Sequence, residues 1–334
     1  MFKIIVPLDG TSFAERALPL ALSMAQRLGA ELILLLTTGD EQKEYILAGP
    51  HQELIILNED YLAKVKASLL DPGLPGHLPP ERVRCEVEKM NPELAIGEVT
   101  PAFGGDLVVM ATHARKGLYL LLKGSVAQKV LSQGSIAVVL LRPQEDIAEV
   151  PLPELLRSTG PTIPATGPVR LLVTLDGSPE AENILGPVSV FARQLEATLY
   201  LEMVYPSSYS YEESGFSNTP TTLTQKNHQT RQHALAYLKV VQQWLKTQGL
   251  EAVVEVRSGD IVDQIYKYSD EIDADLLALA THARGPLGQL ILGSVATDVL
   301  RKCSRPVLLV NNTIWAREMM ETDFHYNFKP EPVP

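Results

Sequence analysis

No apolar run in this chain approaches the roughly 20 residues that a membrane-spanning helix needs, so a membrane protein is not expected. Cysteine is scarce. Cys85 and Cys303 are the only two, far apart and without metal-ligand spacing, which points to reduced thiols in a cytoplasmic protein rather than a disulfide framework. Positive charge is also in deficit, with 29 Lys and Arg against 40 Asp and Glu and a net charge of −11. That balance argues against nucleic acid or an anionic membrane as the main partner. It also means that any phosphate held here must be held by local backbone donors. The opening run, Met1 to Asp9, is too short in apolar residues for a signal peptide and reads as a buried strand.

Several chemical signatures are missing as well. No Gly-x-Gly-x-x-Gly follows a first strand, which disfavours a dinucleotide-dependent dehydrogenase. Lys123-Gly124-Ser125 has the letters of a P-loop ending in the wrong order, with no glycine at the required upstream position. No Ser-His-Asp set and no Gly-x-Ser-x-Gly elbow is present. His113 and His282 each stand alone, without a second His, Cys or paired carboxylate at ligand spacing, so no metal site is expected. No plausible catalytic set emerges.

What the chain does have is an internal repeat. Ala111–Arg142 aligns without gaps to Ala280–Asn311, with half the positions identical. Upstream, Val6-Pro7-Leu8-Asp9-Gly10-Thr11 matches Val173-Thr174-Leu175-Asp176-Gly177-Ser178. The offsets, 167 and 169, are nearly equal, so one domain has been copied whole. Each copy alternates short apolar runs with amphipathic stretches. The runs are Lys3–Leu8, Glu31–Leu36, Arg82–Glu88, Asp106–Ala111 and Ile136–Leu141, then Arg170–Leu175, Thr198–Val204, Ala252–Arg257, Asp275–Ala280 and Pro306–Val310. Nearly unbroken Ile, Leu and Val marks strands covered on both faces. Ala14–Leu28 reads as a helix stopped by Gly29, and Ser178-Pro179 as a helix start. The expected fold class is therefore α/β: two tandem doubly wound domains, each a five-stranded parallel sheet with helices on both faces. The expected boundaries are residues 1–142, a Pro-, Ser- and Thr-rich linker at 143–168, residues 169–313, and a tail at 314–334 with a short helix near Trp315–Met320. Pro206 to Asn227 reads as a polar loop.

In a doubly wound sheet, ligands bind beyond the carboxyl ends of the strands where strand order reverses. Asp9 and Asp176 end the first strands there, and Ala111-Thr112-His113-Ala114 and Ala280-Thr281-His282-Ala283 end the fourth. Gly124-Ser125 and Gly293-Ser294 each open a helix, Val126–Leu131 and Val295–Leu300. Unpaired amides and a partial positive charge at such a start suit a phosphate, and the same pair can equally be a plain helix cap. The two aspartates likewise have two readings: turn residues bonding their own downstream amides, or acceptors for a ribose hydroxyl or an adenine amine. Arg115 and Arg284 stand close by, as phosphate partners or as solvated charges.

These residues resemble tandem universal stress proteins, whose ATP-binding members carry Gly-x2-Gly-x9-Gly-Ser/Thr between fourth strand and fourth helix. The spacing recurs here as Ala111-x2-Ala114-x9-Gly124-Ser125 and Ala280-x2-Ala283-x9-Gly293-Ser294. The resemblance covers nearly all of residues 1–142 and 169–311, and implies the adenine nucleotide alpha hydrolase-like fold. It also implies a stress-response protein binding ATP or another adenine nucleotide, with or without Mg. The implied ligand residues are Asp176, Ala280, Thr281, His282, Ala283, Arg284, Gly293, Ser294 and Val295 in the second copy. In the first they are Asp9, Ala111, Thr112, Ala114, Gly124 and Ser125. Ala114 and Ala283 depart from the second glycine; where that position requires positive φ, an alanine costs about 1 kcal/mol. The family's glycine at the end of the third strand is retained as Gly259 and replaced near Met90-Asn91. The second copy is thus the better candidate to bind. The alternative is a member that binds no nucleotide and acts through protein–protein contacts; weak ATP hydrolysis is the one enzymatic reading left. In this family the last strand dimerises edge to edge, so Ile136–Leu141 and Val307–Val310 are expected to pair within one chain, with a homodimer as the further possibility.

Overall fold

The computed structural model describes residues 1–37, 51–112, 126–132, 136–143, 150–157, 161–206, 220–281 and 293–311. The first half runs β1 (Lys3–Leu8), α1 (Ser12–Glu15), α2 (Leu18–Leu28), β2 (Glu31–Thr37), α3 (His51–Leu70), β3 (Val83–Glu88), α4 (Pro92–Ala102), β4 (Leu107–Ala111), α5 (Val126–Ser132) and β5 (Ala137–Leu141). After α6 (Leu152–Leu156) the order recurs. It continues as β6 (Val169–Thr174), α7 (Pro179–Glu182), α8 (Leu185–Leu195), β7 (Ala197–Tyr205), α9 (Pro220–Thr247), β8 (Ala252–Ser258), α10 (Ile261–Glu271), β9 (Leu276–Thr281), α11 (Ser294–Lys302) and β10 (Val307–Asn311). All ten apolar runs are strands, their ends within one residue of those read from sequence.

Each half is a parallel five-stranded sheet, ordered β3-β2-β1-β4-β5 and β8-β7-β6-β9-β10. The reversal of order lies between β1 and β4 and between β6 and β9. The halves are not separate sheets. β5 and β10 pair antiparallel, Val307 opposite Leu140 and Leu309 opposite Val138, and fuse them into one ten-stranded sheet. This is the within-chain pairing of last strands that the family resemblance implied. One core lies on each face, and both run through the two halves. The first holds Leu18, Met24 and Leu62 with Phe191, Leu238 and Leu245. The second holds Ile96, Val130 and Val138 with Ile265, Val299 and Leu309. Burying a side chain of this size is worth about 2 kcal/mol, so cores shared by both halves tie them to each other.

Two local expectations need correction. The helix read as Ala14–Leu28 is two helices, because Pro19 has no N–H for the bond that would continue α1. Residues 220–227 of the supposed polar loop belong to α9, a 28-residue helix. Within the linker segment, α6 packs on the first half, Arg157 pairs with Asp71 at 2.8 Å, and the Ile163 amide donates to Ser23 Oγ. The expected helix near Trp315–Met320 lies outside the described residues. No helix among the described residues is long and apolar enough to cross a membrane.

Candidate functional site

Both first strands end in the same turn. Asp9 Oδ1 accepts from the Thr11 amide (3.0 Å) and hydroxyl (2.6 Å), and Asp176 Oδ1 from the Ser178 amide (2.9 Å) and hydroxyl (2.6 Å). Gly10 and Gly177 sit between them at φ +82° and +81°, a conformation that glycine adopts without strain. The hydroxyls then cap the next helix, Thr11 from Ala14 N and Ser178 from Ala181 N. The aspartates are thus turn residues first. Asp176 in addition stands in the wall of a cavity.

That cavity, about 370 Å³, opens at the reversal of strand order in the second half. Its wall brings together Asp176, Ala280, Gly293, Ser294 and Val295, five residues singled out from sequence. Thr281 ends β9 beside it. Gly293, not Ser294, is the N-cap, and Ser294 is the first helical residue of α11. Gly293 has no side chain to accept from the first-turn amides, and no side chain among the described residues caps them. Gly293 to Ala296, the start of α11, line the cavity, and the first-turn amides there have no partner within the helix. In the first half, Ala111 ends β4 and the Thr112 amide donates to Leu141 O. His113, Ala114, Arg115, Gly124, Ser125, His282, Ala283 and Arg284 lie outside the described residues.

At the end of β8 the Gly259 amide donates to Tyr205 O, and Gly259 takes φ +136°, a region closed to other residues without strain. The retained glycine thus shapes the loop that leads into α10.

One residue of the cavity went unremarked in the sequence. Glu202 interrupts the apolar run of β7, on the sheet face covered by α10 and α11. Its side chain is 0% exposed, and neither carboxylate oxygen has a hydrogen-bond partner among the described residues. Among the described residues the nearest cation is Arg257 on β8, whose Nε stands 3.9 Å away, an ion pair beyond hydrogen-bond reach. The guanidinium is engaged elsewhere: both terminal nitrogens bond Glu271 at the end of α10, and its plane lies 4.5 Å over the Tyr268 ring. Burial pushes the Glu202 carboxyl up to about 8; Arg257 opposes this, while Glu255 and Glu271 add to it. Near neutral pH the group is mostly a carboxylic acid, able to donate and to accept. The signal in the sequence is one Glu among Leu, Tyr, Met and Val, where the first half has none. Pro7 faces Leu35 across β1 and β2 as Thr174 faces Glu202 across β6 and β7, so the equivalent position is a buried leucine.

The chain was compared with known proteins. The model of the universal stress protein family matches residues 1–142 and 169–311. A universal stress protein of Synechocystis sp. is 33% identical over 75 residues, 22% of this chain and 26% of that protein. One of Mycolicibacterium smegmatis is 41% identical over 51 residues, 15% of this chain and 39% of that protein. The matched segments thus span about a quarter and about two fifths of those curated relatives. Among solved structures, a universal stress protein of Archaeoglobus fulgidus superposes with a TM-score of 0.59 at 19% identity, over 93% of this chain and 98% of that one. A putative universal stress protein of Pseudomonas aeruginosa gives 0.51 at 16%, over 96% of each chain. At such identities the likeness shows the fold.

Proposed function

The chain belongs to the universal stress protein family, and from that premise we propose that it serves a stress response by binding ATP or another adenine nucleotide in the crevice of its second half. The observation that carries this reading is the uncapped start of α11 standing in the wall of the 370 Å³ cavity at the reversal of strand order. Such a start supplies N–H donors and a partial positive charge of about half a unit, enough to hold a phosphate where the overall charge of −11 works against it. The cavity lies within the size range of small-molecule sites. Its wall is mostly apolar, with Val204, Ile261, Ile265 and Leu279 offering a surface for a base. Asp176, at the rim, accepts from a ribose hydroxyl. Thr281, His282, Ala283 and Arg284 complete the motif segment by their place in the sequence, and the first half carries the same segment from Ala111 onward.

Calorimetry with ATP and AMP tests this. The expected result is saturable binding, lost in the double variant Gly293→Val, Ser294→Leu, whose branched side chains obstruct the amides. No heat at millimolar nucleotide would remove the reading and leave the scaffold's protein-contacting role as the alternative.

A further inference from the structure

The second crevice differs from the first at one position by a whole charge-bearing group. Leu35 and Glu202 occupy the same register on the second strand of each half, and both are fully buried. A leucine there needs no explanation. A carboxyl group does, because a buried polar group without a partner costs about 1–3 kcal/mol. The neighbouring Arg257 gives it an ion pair at 3.9 Å but no hydrogen bond: its terminal nitrogens are held by Glu271, and its Nε has no hydrogen-bond partner among the described residues. Glu202 is also one of the residues that line the cavity at the start of α11.

We propose that Glu202 is the base-reading residue of the second crevice, its carboxyl group pairing with the amine and ring nitrogen of an adenine edge while the phosphate lies at the start of α11. The proposal rests on the nucleotide reading given above. Adenine's Watson–Crick edge offers one donor, the N6 amine, beside one acceptor, N1; reading a base by that edge is a common device. A carboxylic acid offers the complement, a carbonyl oxygen that accepts and a hydroxyl that donates. A carboxylate can only accept, and leaves N1 unpaired. Because the acid is already out of water, each bond to the base replaces no bond to solvent. Specificity is strong where a site's buried polar groups are satisfied by the right ligand alone.

Binding is then linked to pH through Glu202. Among the described residues the groups that face it are Arg257 and Glu255 on β8, Tyr268 and Glu271 on α10, and Cys303 just after α11, with Asp176 at the rim. Burial pushes Tyr268 up to about 12 and Cys303 up to about 11, and Arg257 is raised by its bonds to Glu271. The Glu271 carboxyl is lowered by the same bonds. None of these four changes charge between pH 7 and 9, where Glu202 does. A ligand that requires the protonated form loses about tenfold in affinity for each pH unit above 8.

The experiment is AMP titration of the full chain between pH 6.5 and 9.5, repeated with purine riboside 5′-monophosphate, which lacks only the N6 amine. The wild-type protein should weaken as pH rises and should prefer AMP. Glu202→Gln, a permanently neutral mimic of the acid, should keep the preference and lose the pH dependence. Glu202→Leu, which copies Leu35, should weaken AMP about tenfold at pH 7 and no longer distinguish the two ligands. A flat wild-type profile overturns this inference and leaves nucleotide binding standing. So does a Glu202→Leu variant that binds AMP undiminished. No AMP binding by the wild-type protein overturns both.

Discussion

At residue resolution the two halves are near copies with unequal interiors. Glu202 carries the difference, and its stability cost has a sign that can be measured. Its folded-state carboxyl is raised from 4.5 to about 8, so ionisation favours the unfolded chain. Stability associated with the protonated form is complete below pH 4.5 and is lost progressively as pH rises to 8. Glu202→Gln removes that loss. Thermal unfolding should show the variant's midpoint gaining on the wild-type midpoint from pH 5 to pH 8, by several degrees at the upper end. A constant difference across that range would mean that Glu202 stays ionised in the fold. This residue was legible as an anomaly, a lone Glu in a run of strand residues, but not as a cavity residue. Which face of β7 it lies on, and that Arg257 is turned toward Glu271, depend on packing that no local pattern encodes. Asp9 and Asp176 were the opposite case. Their Asp-Gly-Thr and Asp-Gly-Ser spelling predicts the turn that they make, hydrogen bond for hydrogen bond.

Elements were more legible than residues, because hydrophobic periodicity records burial directly. The strands could be read to within a residue: the inner ones are buried on both faces and their apolar runs stop where the sheet stops, while the edge strands β3 and β8 keep exposed residues such as Arg84 and Val253. Helix ends were harder. The break between α1 and α2 follows from Pro19, and the early start of α9 at Pro220 was hidden by a polar composition. Helix termini also yield a clean prediction. α2 ends on Gly29 at φ +62°, with nothing within 4 Å of where a Cβ would stand. In the second half the equivalent C-cap is Glu196, held at φ +51°. Gly29→Ala should therefore cost about 1 kcal/mol by backbone strain alone, read as a shift in the denaturant midpoint at unchanged slope. A neutral result would show that the turn can relax.

For the whole molecule the question is how two repeats become one body. Besides β5 against β10, the clearest tie is Arg27, at the end of α2. Its guanidinium donates to Leu195 O at the end of α8, to Ala165 O and Gly167 O in the linker, and pairs with Glu196 at 3.0 Å. The side chain is only 9% exposed, so the three carbonyls it serves have little water to fall back on. Phe2 and Phe191 meet edge to face at 5.8 Å across the same boundary. Arg27→Ala should cost about 1–3 kcal/mol, and calorimetry should show one unfolding transition for the wild-type chain and a lower-melting one for the variant. Two separate transitions in the wild type would mean that the cores on the two faces are less continuous than their contacts imply.

The seam between β5 and β10 has a further consequence. Two separate subunits meeting through such strands would assemble only above some concentration, and each amino-acid change would appear on both sides of the joint at once. Tethered in one polypeptide, the strands meet at an effective concentration that dilution cannot lower. Symmetry is then no longer enforced. A leucine at 35 can keep one half sealed while a glutamate at 202 puts a proton-bearing group into the other, an inequality that a pair of identical subunits has no means to encode.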